Sequence, residues 1–247
     1  MPGAREVVCR VIKKEWITPS VFTLGFEPSK QFNYLPGQFL SIIIERAFEN
    51  RTRRIYSFSS GGKGEYEVCV QVVPNGVGSN YLAALNVGDQ FRATAPYGDF
   101  LFELKPTQNV CFIATGTGIA PFKSMITSKQ FRDEPPPGAL LLFGAKTEDD
   151  VLFRGYFEKF GVEVINAISD GPNRTGHKGR VTDYLKGLPE DWPWQNTVFY
   201  MCGNGMMIKD VQRYLREVKN VPADQVRYEV FFAATNNVQV LNKKIAA

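Results

Sequence analysis

The sequence predicts two domains of different architecture, an antiparallel β-barrel followed by an α/β domain with a doubly wound parallel sheet. Three observations carry this expectation. The chain has 247 residues, enough for two modest domains with a core each. Up to about residue 104 the apolar runs are short, alternate with polar residues and are cut by frequent turn signals. After Lys105-Pro106 continuous apolar runs alternate with amphipathic stretches, the pattern of strands covered on both faces by helices.

In the first part, Glu65-Tyr66-Glu67-Val68-Cys69-Val70-Gln71-Val72 alternates with the period of a half-buried strand. Turns are marked by Pro36-Gly37, Gly61-Gly62, Asn75-Gly76 and Pro96-Tyr97-Gly98, a spacing suited to a barrel. One helix is expected from Ser79 to Leu85, opened by a serine cap after Gly78. In the second part, strands are expected at Val110 to Ala114, Ala139 to Phe143, Val162 to Ile168, Val198 to Met201 and Val226 to Phe231. Helices are expected between them at Ala120 to Phe131, Val151 to Phe160, Val181 to Leu185 and Met206 to Val218. Pro135-Pro136-Pro137 reads as a stiff connection, and no internal repeat is visible.

Composition excludes several chemistries. Cys9, Cys69, Cys111 and Cys202 lie 60, 42 and 91 positions apart, so no close pair begins a zinc site or an iron–sulfur loop. His177 is the single histidine and reads as a surface loop residue, so two imidazole ligands cannot be assembled. A formal net charge of +4 is mild and does not call for nucleic acid. No apolar run approaches the roughly 18 residues that cross a bilayer, and the first residues lack a secretory apolar stretch. The expectation is a cytoplasmic protein without membrane insertion, and, if an enzyme, one whose chemistry is carried by an organic cofactor.

Three motifs stand out. Ala114-Thr115-Gly116-Thr117-Gly118-Ile119-Ala120-Pro121 lies between an expected strand and helix, where glycines allow a tight turn and free amides can hold a pyrophosphate. Pro121 suits a first helical turn, and the missing third glycine leaves a structural strand-to-helix turn as the alternative. Met201-Cys202-Gly203-Asn204-Gly205 again follows an apolar run and opens a helix; its cysteine is either a small buried hydrophobe or part of a site. In Arg54-Ile55-Tyr56-Ser57 an aromatic face can meet a planar ring, a guanidinium can grip phosphate and a hydroxyl can approach a heteroatom. The alternative there is a strand with one polar face.

Taken together, Arg54-x-Tyr56-Ser57, Gly76-Val77-Gly78-Ser79, Gly116 to Pro121 and Cys202-Gly203-Asn204-Gly205 occur in the order and approximate spacing of the ferredoxin–NADP reductase superfamily. The chain resembles that family from Tyr34-Leu35-Pro36-Gly37-Gln38-Phe39 to Tyr228-Glu229-Val230-Phe231. The resemblance implies an FAD-binding barrel over residues 1–106, an NAD(P)-binding α/β domain over residues 107–232, and a tail over residues 233–247. It also implies that Tyr56 stacks on the flavin, Arg54 and the Val77-Gly78-Ser79 turn hold its pyrophosphate, Ser57 sits near its reactive nitrogen, and Gln71, Val72 and Val73 border it. Gly116, Thr117, Gly118, Ile119, Ala120 and Pro121 would receive the nicotinamide dinucleotide, with Cys202, Gly203 and Asn204 beside its ring. Glu229-Val230-Phe231 resembles the plant-type Glu-Val-Tyr ending, which places an acid near the reacting atoms and an aromatic over the flavin; Phe232 is an equal candidate. Ser57, Cys202 and Glu229 are thus the candidate catalytic residues.

Where NADP-specific relatives carry Ser-Arg, this chain has Ser169-Asp170. A carboxylate about 5 Å from a phosphate costs ~3 kcal/mol at an effective dielectric near 20, which favours NADH over NADPH. Arg174, Lys178 and Arg180 follow closely and could supply a phosphate clamp from the same loop. With no cysteine cluster in the chain, the expected acceptor is a separate carrier such as ferredoxin or flavodoxin, and the protein is expected to be a monomer. The alternatives are a reductase of free flavin or a small acceptor, the reductase component of an oxygenase system, and a non-enzymatic flavin-binding subunit.

Overall fold

The computed structural model describes residues 3–45, 51–62, 64–103, 105, 107–171 and 176–231. The described residues form two compact units: those up to Phe102 together with Ala120–Lys129 make the first, and Glu103–Ile119 with those from Gln130 to Phe231 make the second.

The first unit is built on β1 (Arg5–Thr18), β2 (Val21–Pro28), β3 (Phe39–Glu45), β4 (Arg51–Ser57), β5 (Glu67–Gln71) and β6 (Gln90–Tyr97). All neighbours are antiparallel, in the order β4-β3-β6-β1-β2-β5, and a bridge from Phe58 to Val68 joins the two ends into a barrel. Period-two alternation sends one face of each strand inward: Val7, Cys9 and Val11 from β1, Phe22, Leu24 and Phe26 from β2, Leu40, Ile42 and Ile44 from β3. Closure removes the open sheet edge that six strands would otherwise present. Helix α1 (Val77–Ala84) crosses the barrel, with Leu82 fully buried. It begins two residues earlier than the sequence suggests. Gly76 is its cap residue, and Ser79 lies in the first turn, where its hydroxyl accepts from the Val73 amide at 3.1 Å.

The second unit is a six-stranded sheet of β7 (Asn109–Thr115), β8 (Ala139–Ala145), β9 (Glu163–Ile168), β10 (His177–Lys178), β11 (Thr197–Asn204) and β12 (Val226–Phe231). Every pair is parallel and the order is β10-β9-β8-β7-β11-β12, so the chain winds outward from β7 in one direction and then returns to its other side. The switch point lies between β7 and β11, where open α/β sheets bind ligands beyond the carboxyl ends of their strands. The helices at Val181–Gly187 (α4) and Gly205–Arg213 (α5) cover one face, burying Val181, Leu185, Ile208 and Val211 against Cys111, Ile113, Leu142, Phe199 and Met201.

Three sequence expectations are corrected. The single helix expected over Ala120 to Phe131 is two pieces, α2 (Ala120–Ile126) and α3 (Lys129–Asp133), because the Thr127 hydroxyl donates back to the Lys123 carbonyl at 2.7 Å and Ser128 breaks the run. Val151 to Phe160 is not a helix: Phe153 and Gly155 have φ of 55° and 64°, and only Phe157–Phe160 coils, as a 3₁₀ turn. Its rings pack on each other instead, Tyr156 edge-on to Phe157 at 5.4 Å. His177 is not a loop residue but opens β10, paired with Ala167, its ring edge-on to Tyr184 at 5.4 Å and its Nε2 buried.

Candidate functional site

In the first unit the predicted residues converge. Arg54 and Tyr56 are two positions apart on β4 and so share a face, opposite Ile42 and Leu40 of β3. The Tyr56 ring packs against the barrel core, as do Val72 and Val77, and burial holds its phenol well above the usual range, with the Arg54 charge opposing. Gly78 is what lets α1 come this close: a Cβ there would lie 2.7 Å from both the Tyr56 hydroxyl and the Arg54 Cγ. Ser79 and Asn80 brace the turn, Asn80 Nδ2 donating to the Val73 and Gly76 carbonyls at 2.9 and 2.7 Å. The Ser79 hydroxyl is therefore committed to the turn, and the amides of Val77, Gly78 and Ser79, which precede the first intrahelical bond, are the donors α1 can offer an anion. Ser57 faces the other way and is only 4% exposed; Gln71 ends β5, solvent-exposed, with Val73 exposed just after it.

In the second unit the two glycine loops interlock at the switch point. β7 ends at Thr115, and Gly116, at φ 53°, starts the 3₁₀ turn Gly116–Ile119 that runs directly into α2. A Cβ on Gly118 would lie 2.5 Å from the Cys202 carbonyl carbon and 2.7 Å from the Gly203 Cα. Gly203, at φ 127°, would put a Cβ 2.6 Å from the Thr115 carbonyl oxygen. The Thr115 hydroxyl accepts from the Asn204 amide at 2.9 Å, tying the loops together. The Asn204 side chain caps α5, its Oδ1 accepting from the Met206 and Met207 amides at 2.9 and 3.2 Å.

Cys202 and Glu229 are register partners on β11 and β12, and both are 0% exposed. Burial, with the Glu229 charge adding to it, pushes the Cys202 thiol well above its ordinary value, which favours the neutral thiol over the thiolate. Phe231 ends β12 half-buried, paired with Asn204; Phe232 lies outside the described residues.

A separate cluster forms past the ends of β8 and β9. The Ser169 amide donates to the Ala145 carbonyl, and Asp170 Oδ1 accepts from the Gly171 amide at 2.9 Å. Asp170 Oδ2 is 4.0 Å from Lys146 Nζ, with both side chains mostly exposed. No local pattern points to Lys146; only the parallel pairing of Ala145 with Ile168 reveals that it lies beside Ser169. Arg180 precedes α4, its amide donating to Asp183 at 2.9 Å, and Arg174 lies outside the described residues. Among the described residues no group of three or more His, Cys, Asp or Glu side chains could hold a metal, and no helix is long and apolar enough to cross a membrane.

Comparison with known proteins matches residues 8–102 to the oxidoreductase FAD-binding domain and residues 112–213 to the oxidoreductase NAD-binding domain. The 2-halobenzoate 1,2-dioxygenase electron transfer component of Burkholderia cepacia is 28% identical over 211 residues, which are 82% of this chain and 60% of that protein. Ferredoxin–NADP reductase B of Sorangium cellulosum is 27% identical over 243 residues, 93% of this chain and 99% of that protein. The chain thus spans three-fifths of the first relative and nearly all of the second. Among solved structures, a ferredoxin NADP+ reductase from Neisseria gonorrhoeae with bound FAD and NADP superposes with a TM-score of 0.76 at 19% identity, covering 92% of this chain and 98% of its own. At that identity the likeness concerns the fold.

Proposed function

The chain belongs to the ferredoxin–NADP reductase superfamily, and on that premise we propose that it is a flavin-dependent oxidoreductase taking hydride from NAD(P)H onto FAD and passing electrons to a separate carrier. The observation that carries this reading is the pair of glycine-gated cradles, one in each unit: Gly78 against Arg54 and Tyr56, and Gly118 against Cys202-Gly203. Residues 1–106 are the FAD-binding part and residues 107–232 the NAD(P)-binding part in this reading, with residues 233–247 outside the described residues.

The first cradle fits FAD in its donor set. The Arg54 guanidinium and the amides of Val77 to Ser79 offer positive charge and N–H groups to a pyrophosphate, and Tyr56 offers a ring face. Bound flavin supplies the capacity to accept a hydride and release its electrons one at a time. The protein's own task is alignment. Buried Ser57 brings a hydroxyl to the edge of the flavin, and Gln71 at the end of β5, with Val72 and Val73 just after it, borders it. The turn Gly116–Ile119, with Ala120 and Pro121, receives the nicotinamide dinucleotide's phosphates; Cys202 and Gly203 form a flat, neutral floor for the nicotinamide. Glu229 behind Cys202 is placed to hold or relay a proton, and Phe231 to cover an aromatic ring. The transfer itself needs no general base, in keeping with a hydride step governed by orientation.

Asp170 supports NADH as the preferred donor, although Lys146 at 4.0 Å offsets part of its charge. The acceptor in this reading is a separate ferredoxin or flavodoxin. The near full-length match to a ferredoxin–NADP reductase supports it, and the match to a dioxygenase electron transfer component supports an oxygenase partner as the second reading. The protein acts as a monomer in the cytoplasm in this reading. The test is purification followed by visible spectroscopy and anaerobic titration with NADH and NADPH in turn, then NADH oxidation against ferredoxin concentration. Flavin absorbance bleached stoichiometrically and saturable stimulation by ferredoxin are expected. Colourless protein that takes up no flavin overturns the reading.

A further inference from the structure

Helix α2 is fastened to the barrel by a buried polar network that the functional reading does not use. Lys123 Nζ donates to the Ser59 carbonyl at 3.0 Å and to Glu67 Oε1 at 2.9 Å. The Ser59 hydroxyl donates to the same Glu67 oxygen at 2.7 Å, and the Ser124 hydroxyl donates to the Ser60 carbonyl at 2.6 Å. The side chains of Lys123 and Glu67 are only 10% and 20% exposed. Close backbone packing continues the contact: a Cβ on Gly61 would lie 2.7 Å from the Thr127 carbonyl carbon.

Apolar side chains of similar volume would hold a helix in place as well as a buried ion pair, whose Coulomb gain is largely consumed by desolvation. What the pair adds is a fixed register, because an ammonium has to meet one carbonyl and one carboxylate at defined distances. The partners are well placed for such a role. Ser59 and Ser60 follow Ser57, which ends β4, the strand that carries Arg54 and Tyr56, and Lys123 lies one turn beyond the Gly116–Ile119 turn, which passes into α2 with no intervening residue.

Resting on the function proposed above, we propose that Lys123 and Glu67 are positioning residues for hydride transfer. They fix α2 against Ser59 and so fix the point from which the nucleotide-binding turn emerges. Neither touches the reacting atoms. Their effect is on alignment, where a displacement of about 1 Å lowers the rate by about 100-fold.

The test uses the FAD-loaded protein and three variants, Lys123→Met, Glu67→Gln and Lys123→Arg. Two readouts are taken: the limiting rate of flavin bleaching per bound flavin at saturating nucleotide, and hydrogen exchange of the Gly116–Ile119 amides. Lys123→Met is expected to slow bleaching by about 10- to 100-fold and to lose protection in that turn, at unchanged nucleotide affinity. Lys123→Arg is expected to restore both readouts. A merely structural role would lower flavin content or thermal stability and leave the rate per bound flavin and the protection as in wild type; that result overturns the proposal. Should Lys123→Met not fold, Glu67→Gln, which keeps shape and an acceptor oxygen, decides by the same readouts. A wild type bleached by neither nucleotide overturns the proposed function, and amide protection alone then decides whether Lys123 anchors the turn.

Discussion

Gly118 and Gly203 occupy the same junction for different reasons. Gly118 sits against the backbone of Cys202, while Gly203 adopts a φ of 127° that other residues avoid and faces Thr115. Neither neighbour is a flexible side chain that can swing away. Gly118→Ala is expected to cost about 1–3 kcal/mol and to weaken nucleotide-driven flavin reduction. Gly187→Ala, where nothing lies within 4 Å of the new methyl, is the control, with thermal unfolding and anaerobic titration as the measurements. Asp170→Arg removes the carboxylate and adds a cation beside Lys146, and should raise the ratio of NADPH to NADH use; an unchanged ratio in steady-state assays would contradict the assignment. These glycines are legible in the sequence because, repeated between a strand and a helix, they mark a backbone that has to turn tightly. Lys123 and Glu67 are not, since partners 56 positions apart carry no local signal, and each reads alone as an ordinary surface charge.

At the level of single elements, α5 depends on its cap. Asn204 accepts from two first-turn amides, and Asn204→Ala is expected to cost about 1 kcal/mol, seen as a lowered thermal midpoint, with Asn204→Asp close to wild type. The strands of the second unit are readable because a parallel strand buried on both faces is a continuous apolar run, as in Leu140-Leu141-Leu142-Phe143. Helices are harder to read where side chains compete with the backbone. Thr127 and Ser128 part α2 from α3, and the expected helix at Val151 to Phe160 gives way to a turn in which Phe153 and Gly155 take positive φ. The strand position of His177 escapes a sequence reading because a two-residue strand has no periodicity to detect.

For the molecule as a whole, burial of weak acids sets the response to alkali. The thiols of Cys9 and Cys69 are pushed up to about 12, and those of Cys111 and Cys202, with the phenols of Tyr34 and Tyr56, are also raised by burial. An unfolded thiol loses its proton near pH 8.5, so above that point the native state holds protons the unfolded state has released. Stability is therefore expected to be level through neutral pH and to fall as pH rises toward 12, by up to ~1.4 kcal/mol per unit for each buried thiol. Urea midpoints from about pH 7 to 10.5 check this, and a flat profile would contradict it; Cys69→Ala should remove its share of the slope.

The order in which the chain visits its two units bears on recombination. After residues 103–119 have begun the second unit, Ala120–Lys129 returns to the first before the chain leaves it again. A fragment cut after Phe102 would carry Glu67, Ser59 and Ser60 without the lysine and serine hydroxyl that meet them. Exchanging nucleotide units between related reductases at a single joint would likewise seat a foreign α2 on this barrel. A graft that keeps each unit whole has to change parent before Glu103, change back at Ala120, and change once more after Lys129.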